Sequence, residues 1–585
     1  MTPAATPVDV IRSRFTVRIA LAAIVLLALG TAASTWRVYG HTWDEPEHLA
    51  AGMELLDRGK YEYDIQHPPL ARVLIALGPY LAGARSVGKP PPDGTPEGVS
   101  ILYGGGHYDL YLTLARLGTL PFLAVLLAAT WLWARRVAAS DREALLAVVL
   151  LAAVPPVLGH AALATLDVPA AATTLLALYT AEHWLATGRW RDAVILGLAA
   201  GLAIGTKLSA IPFLGIGIAT LALLRAIRHR GPDAQPRQAA RLLLATSVRR
   251  SATLGVSAVV AAACLVVVYG GHFVYLTDSA HRYSPTLSYL FGDRGWMHAV
   301  AYSIAAHVPL PEALRSLVGG IRAVIWHNQA GHLSYLLGDL RSGGWWYFYL
   351  VALAAKTPIA MLLTGPAGLA LVAREGFRAL DPWRMAPAAL SLALLAFASF
   401  YSHINIGIRH VLILYPFLAI GSAHLLATSW RALRQVENRD LAGVGSAVVL
   451  GLIGWQVSTL ATANPDYLPY FNEALSNPER VLVDSDLAWG QDLRRLEHRL
   501  AELKVEAFSF AYLGTADLTR ETFPKLVRLP PGQPTTGWIA ITALARVHGG
   551  SGYGWLDAYT PVERVGKSID LYFVPDPPAL SQPTP

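Results

Sequence analysis

One cysteine, Cys264, stands in the whole chain, and it lies inside an apolar run, so no intramolecular disulfide can form. Charge is almost as scarce. Asp, Glu, Lys and Arg make up 15% of the residues, against about 25% in soluble domains. The usual catalytic signatures are missing too. There is no Walker loop and no dinucleotide-binding GxGxxG, and Gly104-Gly105-Gly106 does not follow a strand and reads as a linker. There is no HExxH metal helix and no Gly-x-Ser-x-Gly elbow. These absences exclude a P-loop ATPase, a zincin and an α/β-hydrolase. If the chain moves a chemical group, the donor is not cytoplasmic ATP or a nucleotide sugar.

What the chain has is apolar sequence: 54% hydrophobic residues and a mean hydropathy of +0.40. At 585 residues it is too long for one core. Apolar runs of about 20 residues recur, each long enough to cross a hydrocarbon layer of about 30 Å. About eleven such runs can be drawn, near 15–36, 109–134, 142–160, 163–186, 191–206, 208–227, 251–273, 345–371, 385–402, 406–428 and 441–462. The first is too long for a signal peptide and lacks a clear small-residue cleavage site, so it reads as a retained span. The pattern predicts a mainly α, polytopic membrane helix bundle over 1–463, with outer loops 37–108 and 276–343.

From about Asn464 the composition becomes that of a soluble domain. Residues 481–486, 505–512, 538–541 and 569–574 read as strands, and 491–503 as an amphipathic helix. A small C-terminal α/β domain over 464–575 follows, then a Pro-rich tail, 576–585. Within the outer loops, 68–84 and 311–326 have helical periodicity and suit helices lying along the membrane surface.

The formal charge of +7 does not point to nucleic acid, because the arginines sit in short turns between apolar runs. Arg135, Arg136, Arg142, Arg189, Arg191, Arg374, Arg378, Arg384, Arg431, Arg434 and Arg439 all fall on one set of alternate turns. That excess marks a cytoplasmic side. It places the N-terminus inside and the C-terminal domain outside. The same assignment gathers Asp44, Glu45, His67, Arg72, Asp167, Lys207, Arg409 and His410 on the outer face, although none of them was used to set the topology.

Charge at membrane depth is costly unless it is used or solvated. Asp44 and Glu45 leave the first span beside Trp43, where a carboxylate is partly desolvated and suits a general base; the alternative is a cap for a helix starting near Pro46. His67-Pro68-Pro69-Leu70-Ala71-Arg72 offers a helix N-terminus with a cation one turn in, an anion site, or a rigid turn with a snorkelling Arg. Asp167 is a functional acid or a helix cap before Pro169. Lys207 binds a phosphate as a point charge or snorkels. Arg409-His410 implies a carboxylate or phosphate partner. His160, His327 and His332 lack metal-ligand spacing. Carboxylates beside Arg, Lys and His suit a lipid-borne phosphate donor, with cations holding the leaving phosphate and an acid taking a proton from an attacking hydroxyl. A transporter or flippase for a lipid-linked or anionic substrate is the alternative, but no repeated halves are visible.

In order along the chain, Asp44-Glu45, His67-Pro68-Pro69, Thr165-Leu166-Asp167 and Gly205-Thr206-Lys207 resemble the protein O-mannosyltransferase-like glycosyltransferases (family 39, GT-C superfamily). Gly344-Trp345-Trp346-Tyr347, Lys356-Thr357-Pro358, Asn405 to His410, Asp466 to Asn472 and Trp489-Gly490-Gln491-Asp492 resemble the bacterial branch, which implies a bacterial inner (plasma) membrane. The resemblance implies a polyprenyl-monophosphate sugar donor and a hydroxyl acceptor on protein, lipid or glycan, as in protein O-glycosylation or cell-envelope glycosylation, with inversion. By the same resemblance the Asp44-Glu45 pair is the catalytic element, with Asp44 the candidate base; Glu45 and Asp167 are expected to position the acceptor or the sugar. Arg72, Lys207, Arg409 and His410 hold the donor phosphate, and His67 and Lys356 are further pocket candidates. Arg72 stands where eukaryotic members have Lys, and Ala488 stands where an acid is expected. No cofactor is implied, and a divalent metal is left open.

Overall fold

A computed structural model describes residues 7–138, 140–228, 236–275, 292 and 295–575. The Pro-rich tail and part of the expected 276–343 loop lie outside the described residues. Twelve helices run in order before the second long loop: α1 (Pro7–Ala33), α2 (Glu45–Arg58), α3 (Leu70–Leu81), α4 (Thr95–Leu102), α5 (Tyr108–Leu117), α6 (Leu120–Ala138), α7 (Asp141–Ala152), α8 (Pro155–Ala161), α9 (Asp167–Thr187), α10 (Trp190–Thr206), α11 (Ala210–Arg228) and α12 (Pro236–Val268). Further along come α13 (Trp296–His307), α14 (Glu312–Ala330), α15 (Phe348–Lys356), α16 (Ile359–Ala379), α17 (Pro382–Tyr401), α18 (Leu414–Leu433) and α19 (Arg439–Ala463).

Among the described residues, six helices are long and apolar enough to cross a membrane, or seven if the bent pair α7 and α8 is one span. The chain is an integral membrane protein. The other four expected runs form α9, α10, α16 and α18, helices of 17 to 21 residues that fall below that threshold.

Proline causes the 69° bend between α7 and α8. Val154 precedes Pro155 and is forced into extended backbone, which ends the first helix. The freed carbonyl of Ala153 accepts from Gln456 Nε2 at 2.9 Å and Thr459 Oγ1 at 3.2 Å, both on α19. A backbone break at membrane depth survives only with such partners. Small residues bring other helices together: a Cβ on Gly368 of α16 would overlap the carbonyl of Gly421 of α18.

At the Arg-rich end, Glu143, Glu375, His424 and Arg431 tie α7, α16 and α18. His424 Nδ1 lies 2.6 Å from Glu143 and its Nε2 3.1 Å from Glu375. The opposite end carries α2 to α4, α14 and the C-terminal unit. That unit is built on a five-stranded sheet of β1 (Ala507–Ala511), β2 (Lys525–Arg528), β3 (Gly537–Thr542), β4 (Glu563–Val565) and β5 (Ile569–Val574), in spatial order β2-β1-β3-β5-β4. The two pairings of β1 are parallel and the other two antiparallel. The amphipathic helix α20 (Leu493–Glu502) buries Leu493, Leu496 and Leu500 against this sheet.

Residues 481–486, expected as a strand, are instead a turn and a four-residue helix, Asp484–Leu487. Tertiary bonds override the β-branched run. Ser485 Oγ donates to the Ile406 carbonyl, and Asp486 Oδ1 accepts from Ile408 N at 3.1 Å.

Candidate active site

A cleft of about 590 Å³ opens at the end of the bundle nearest the C-terminal unit. Asp44, His67, Asp167, Lys207, Arg409 and His410 all line it, although they are spread over more than 360 residues of chain.

Helix starts position the acids. Asp44 sits at the N-cap position of α2, yet its side chain makes no capping bond and pairs with Arg409 instead. Asp167 is the first residue of α9. Its Oδ1 accepts from Lys207 Nζ at 2.8 Å, and its Oδ2 lies 3.7 Å from Arg409 Nη1. That Oδ2 is buried and makes no hydrogen bond, and Arg409 Nε is likewise unsatisfied. Capping therefore explains neither acid. The set reads as two carboxylates interleaved with two cations, with spare donor and acceptor capacity for a ligand.

The segment carrying Arg409 is clamped from several sides. Asn405 Oδ1 accepts from Trp345 N at 2.7 Å, Gly407 adopts φ +129°, and Asp486 and Ser485 hold the backbone at 408 and 406. The guanidinium lies 4.4 Å from the Trp489 ring, whose face favours a cation.

Three predicted site residues lie elsewhere. Glu45 is buried beneath the cleft against Arg116 of α5, with Oε1 2.8 Å from Nε and Oε2 2.8 Å from Nη2. It also accepts from Thr42 N at 2.7 Å and Ala164 N at 2.8 Å. Burial opposes its ionisation, but Arg116 and these donors overcome that and lower its pKa. Arg72 is fully buried and does not line the cleft. It pairs with Asp64 and donates to the carbonyl of Asp64 at 2.7 Å and to Tyr61 Oη at 3.1 Å, so it pins the loop that carries His67. Lys356 is buried too, with Nζ 2.9 Å from the Leu468 carbonyl and 2.6 Å from that of Asp486. It fastens the C-terminal segment to α15.

Sequence reasoning passed over Glu47, His48 and Asp64, which also line the cleft. The signal was available: positions 44, 47 and 48 share one face at the start of a helix. Arg72 Nε donates to His48 Nδ1 at 3.2 Å, so the His48 proton is on Nε2. Burial pushes His67 down to about 3, so its imidazole is neutral. The C-terminal unit brings Asp484 close, and burial raises its pKa to about 6. Among the described residues, no three or more His, Cys, Asp or Glu side chains are grouped so as to hold a metal ion.

Residues 113–234 match the family model of dolichyl-phosphate-mannose-protein mannosyltransferases. No curated protein matches the sequence. Among solved structures, the archaeal oligosaccharyltransferase AglB from Archaeoglobus fulgidus, bound to an inhibitory peptide and a dolichol-phosphate, is 16% identical with a TM-score of 0.45, over 76% of this chain and 55% of that one. The chain thus spans about half the length of that protein. ArnT from Cupriavidus metallidurans, bound to undecaprenyl phosphate, is 13% identical with a TM-score of 0.44, over 94% and 97% of the two chains. The Pmt1-Pmt2 protein O-mannosyltransferase complex of S. cerevisiae, bound to the sugar donor, is 11% identical with a TM-score of 0.49, over 77% and 90%.

Proposed function

We propose that this chain, a relative of the dolichyl-phosphate-mannose-protein mannosyltransferases through residues 113–234, is a membrane glycosyltransferase that moves a hexosyl or pentosyl group from a polyprenyl monophosphate to a hydroxyl acceptor. One observation carries the reading: Asp44, Asp167, Lys207 and Arg409 meet in a single cleft whose walls include Ile211, Phe213, Ile325 and Phe397. Cations floored by acids suit a phosphate and a sugar. The apolar walls suit a lipid chain.

Lys207 and Arg409 take the donor phosphate, and their attraction grows as the anomeric carbon–oxygen bond breaks and charge moves onto it. Asp44 and Asp167 hold these cations in place before the donor arrives and orient sugar and acceptor hydroxyls when it is bound. The broken bond leaves its electron pair on the phosphate, and the acceptor oxygen takes its place at the sugar. The site opens on the outer leaflet, with the N-terminus cytoplasmic, as the arginine distribution supports.

Purified protein incubated with labelled polyprenyl-phosphate sugars and membrane fractions should pass label to an acceptor. Lys207→Ala and Arg409→Ala, folded and purified, should pass far less at the same donor concentration. Passage of lipid-linked sugar across liposomes without covalent transfer would replace this reading with a flippase.

A further inference from the structure

The proton released by the acceptor hydroxyl must pass to a basic group lining the cleft. Four carboxylates line the cleft: Asp44, Glu47, Asp64 and Asp167. Three of them are committed, Asp44 to Arg409, Asp64 to Arg72 and Asp167 to Lys207. Glu47 alone makes no ion pair and no hydrogen bond among the described residues. It sits on α2 one turn beyond Asp44, on the same face of the helix. Its stem is seated by the loop opposite, where a Cβ on Gly94 would come within 3.3 Å of Glu47 Cγ. A side chain at Gly94 would crowd it, so this glycine keeps the seat open.

We propose that Glu47 is the general base of the transfer reaction, taking the proton of the acceptor hydroxyl while Asp44 orients that hydroxyl. This assignment rests on the glycosyltransferase reading. In the step the acceptor oxygen bonds to the anomeric carbon and the carbon–oxygen bond to phosphate breaks. The phosphate leaves as the polyprenyl monophosphate, and the proton passes to a Glu47 oxygen.

The surroundings suit the task. Burial, then the carboxylate of Asp64, raises the Glu47 pKa to about 8, with Asp44 and Asp93 adding to the rise and Arg72 opposing it. His48, the next residue on the same helix, is kept neutral by burial and by Arg72. A base whose pKa lies near the working pH transfers protons most effectively. Only the ionised form accepts a proton, so transfer should rise with pH up to about 8 and then level.

The test compares wild type with E47Q, E47D and D44N in detergent, measuring kcat and kcat/KM from pH 5.5 to 9.5. Gln mimics the neutral carboxyl, so E47Q should fold and still be stabilised against heat by undecaprenyl phosphate. Its kcat should fall by about 10²–10⁴, and the rising limb near pH 8 should vanish. E47D should restore part of kcat together with that limb, and D44N should keep the limb at a lower rate. An E47Q protein with wild-type kcat, or with the limb intact at any rate, overturns the assignment while leaving the glycosyltransferase reading standing. A wild-type protein that transfers no sugar from any donor overturns both.

Discussion

Removing the carboxylate of Glu45 should unfold the entrance to the cleft rather than slow the chemistry. Glu45 and Arg116 are 1% and 0% exposed. The carboxylate serves Arg116 twice, Thr42 through its N–H and hydroxyl, and the Ala164 N–H. Arg116 in turn donates to the carbonyls of Tyr39 at 3.2 Å and Gly40 at 2.7 Å. The pair thus joins the exit of α1, the start of α2, α5 and the turn before α9. Breaking a buried pair by removing one partner costs about 3–5 kcal/mol, because the remaining charge stays buried. A fold is stable by only about 5–15 kcal/mol in total, so Glu45→Ala should yield little folded protein. Glu45→Gln keeps an acceptor and should lower the thermal midpoint less. In the double variant Glu45→Leu/Arg116→Met no charge is stranded, and the midpoint should recover part of the loss, giving a coupling of several kcal/mol in the double-mutant cycle. Thermal unfolding in detergent, followed by tryptophan fluorescence, reads the midpoints, and kcat per folded molecule is measured alongside. A Glu45→Gln protein that melts with wild type yet loses kcat would show that the carboxylate acts in the reaction, and the structural reasoning would fail.

The same pair gives a pH signature: a depressed carboxylate pKa contributes stability above about pH 4.5 that is lost as pH falls through the lowered value, so acid unfolding should shift to higher pH in Glu45→Gln. Arg409→Lys should raise the donor KM and Arg409→Ala should raise it further, by about 2–5 kcal/mol or at least roughly thirtyfold, because a lysine cannot serve Asp44, Asp167 and a phosphate from one plane; equal KM in all three proteins would remove the phosphate role. Gly368→Leu should separate α16 from α18 and lower the thermal midpoint, whereas Gly443→Leu, with open space around its Cβ, should not. Lys356→Met should loosen the C-terminal unit, read as faster cleavage after residue 463 in limited proteolysis, while the helix bundle stays protected.

The bundle was legible because its signal is local: a run of apolar residues crosses lipid wherever its neighbours go. The convergence of Asp44, Asp167, Lys207 and Arg409 at one end was legible through arginine asymmetry, which sorts turns by side without contact information. Side alone does not say which charged group meets which. Glu45 and Arg72 carry the same charges as true cleft residues but are consumed by partners. Arg116 drew no attention because it lies inside an apolar run, where its pairing with a residue 71 positions earlier leaves no trace in spacing. Glu47 was overlooked for the opposite reason, since an acid in the first turn of a helix needs no explanation. Residues 481–486 have strand composition, but Ser485 and Asp486 spend their polar groups on the backbone at 406 and 408, and tertiary bonding decided the conformation.

Trp489 belongs to the polypeptide leading into the sheet unit, yet its ring is the bed on which the Arg409 guanidinium rests. Nearby, the backbone of Trp43 donates to the Trp489 carbonyl at 3.0 Å, which stitches the same segment to the start of α2. The strip around 484–492 therefore backs the cleft through the segment that carries Arg409, and is not a tether. A chimera that grafts a foreign soluble module onto this bundle must keep that strip, or the cation facing the cleft loses its support along with the appendage.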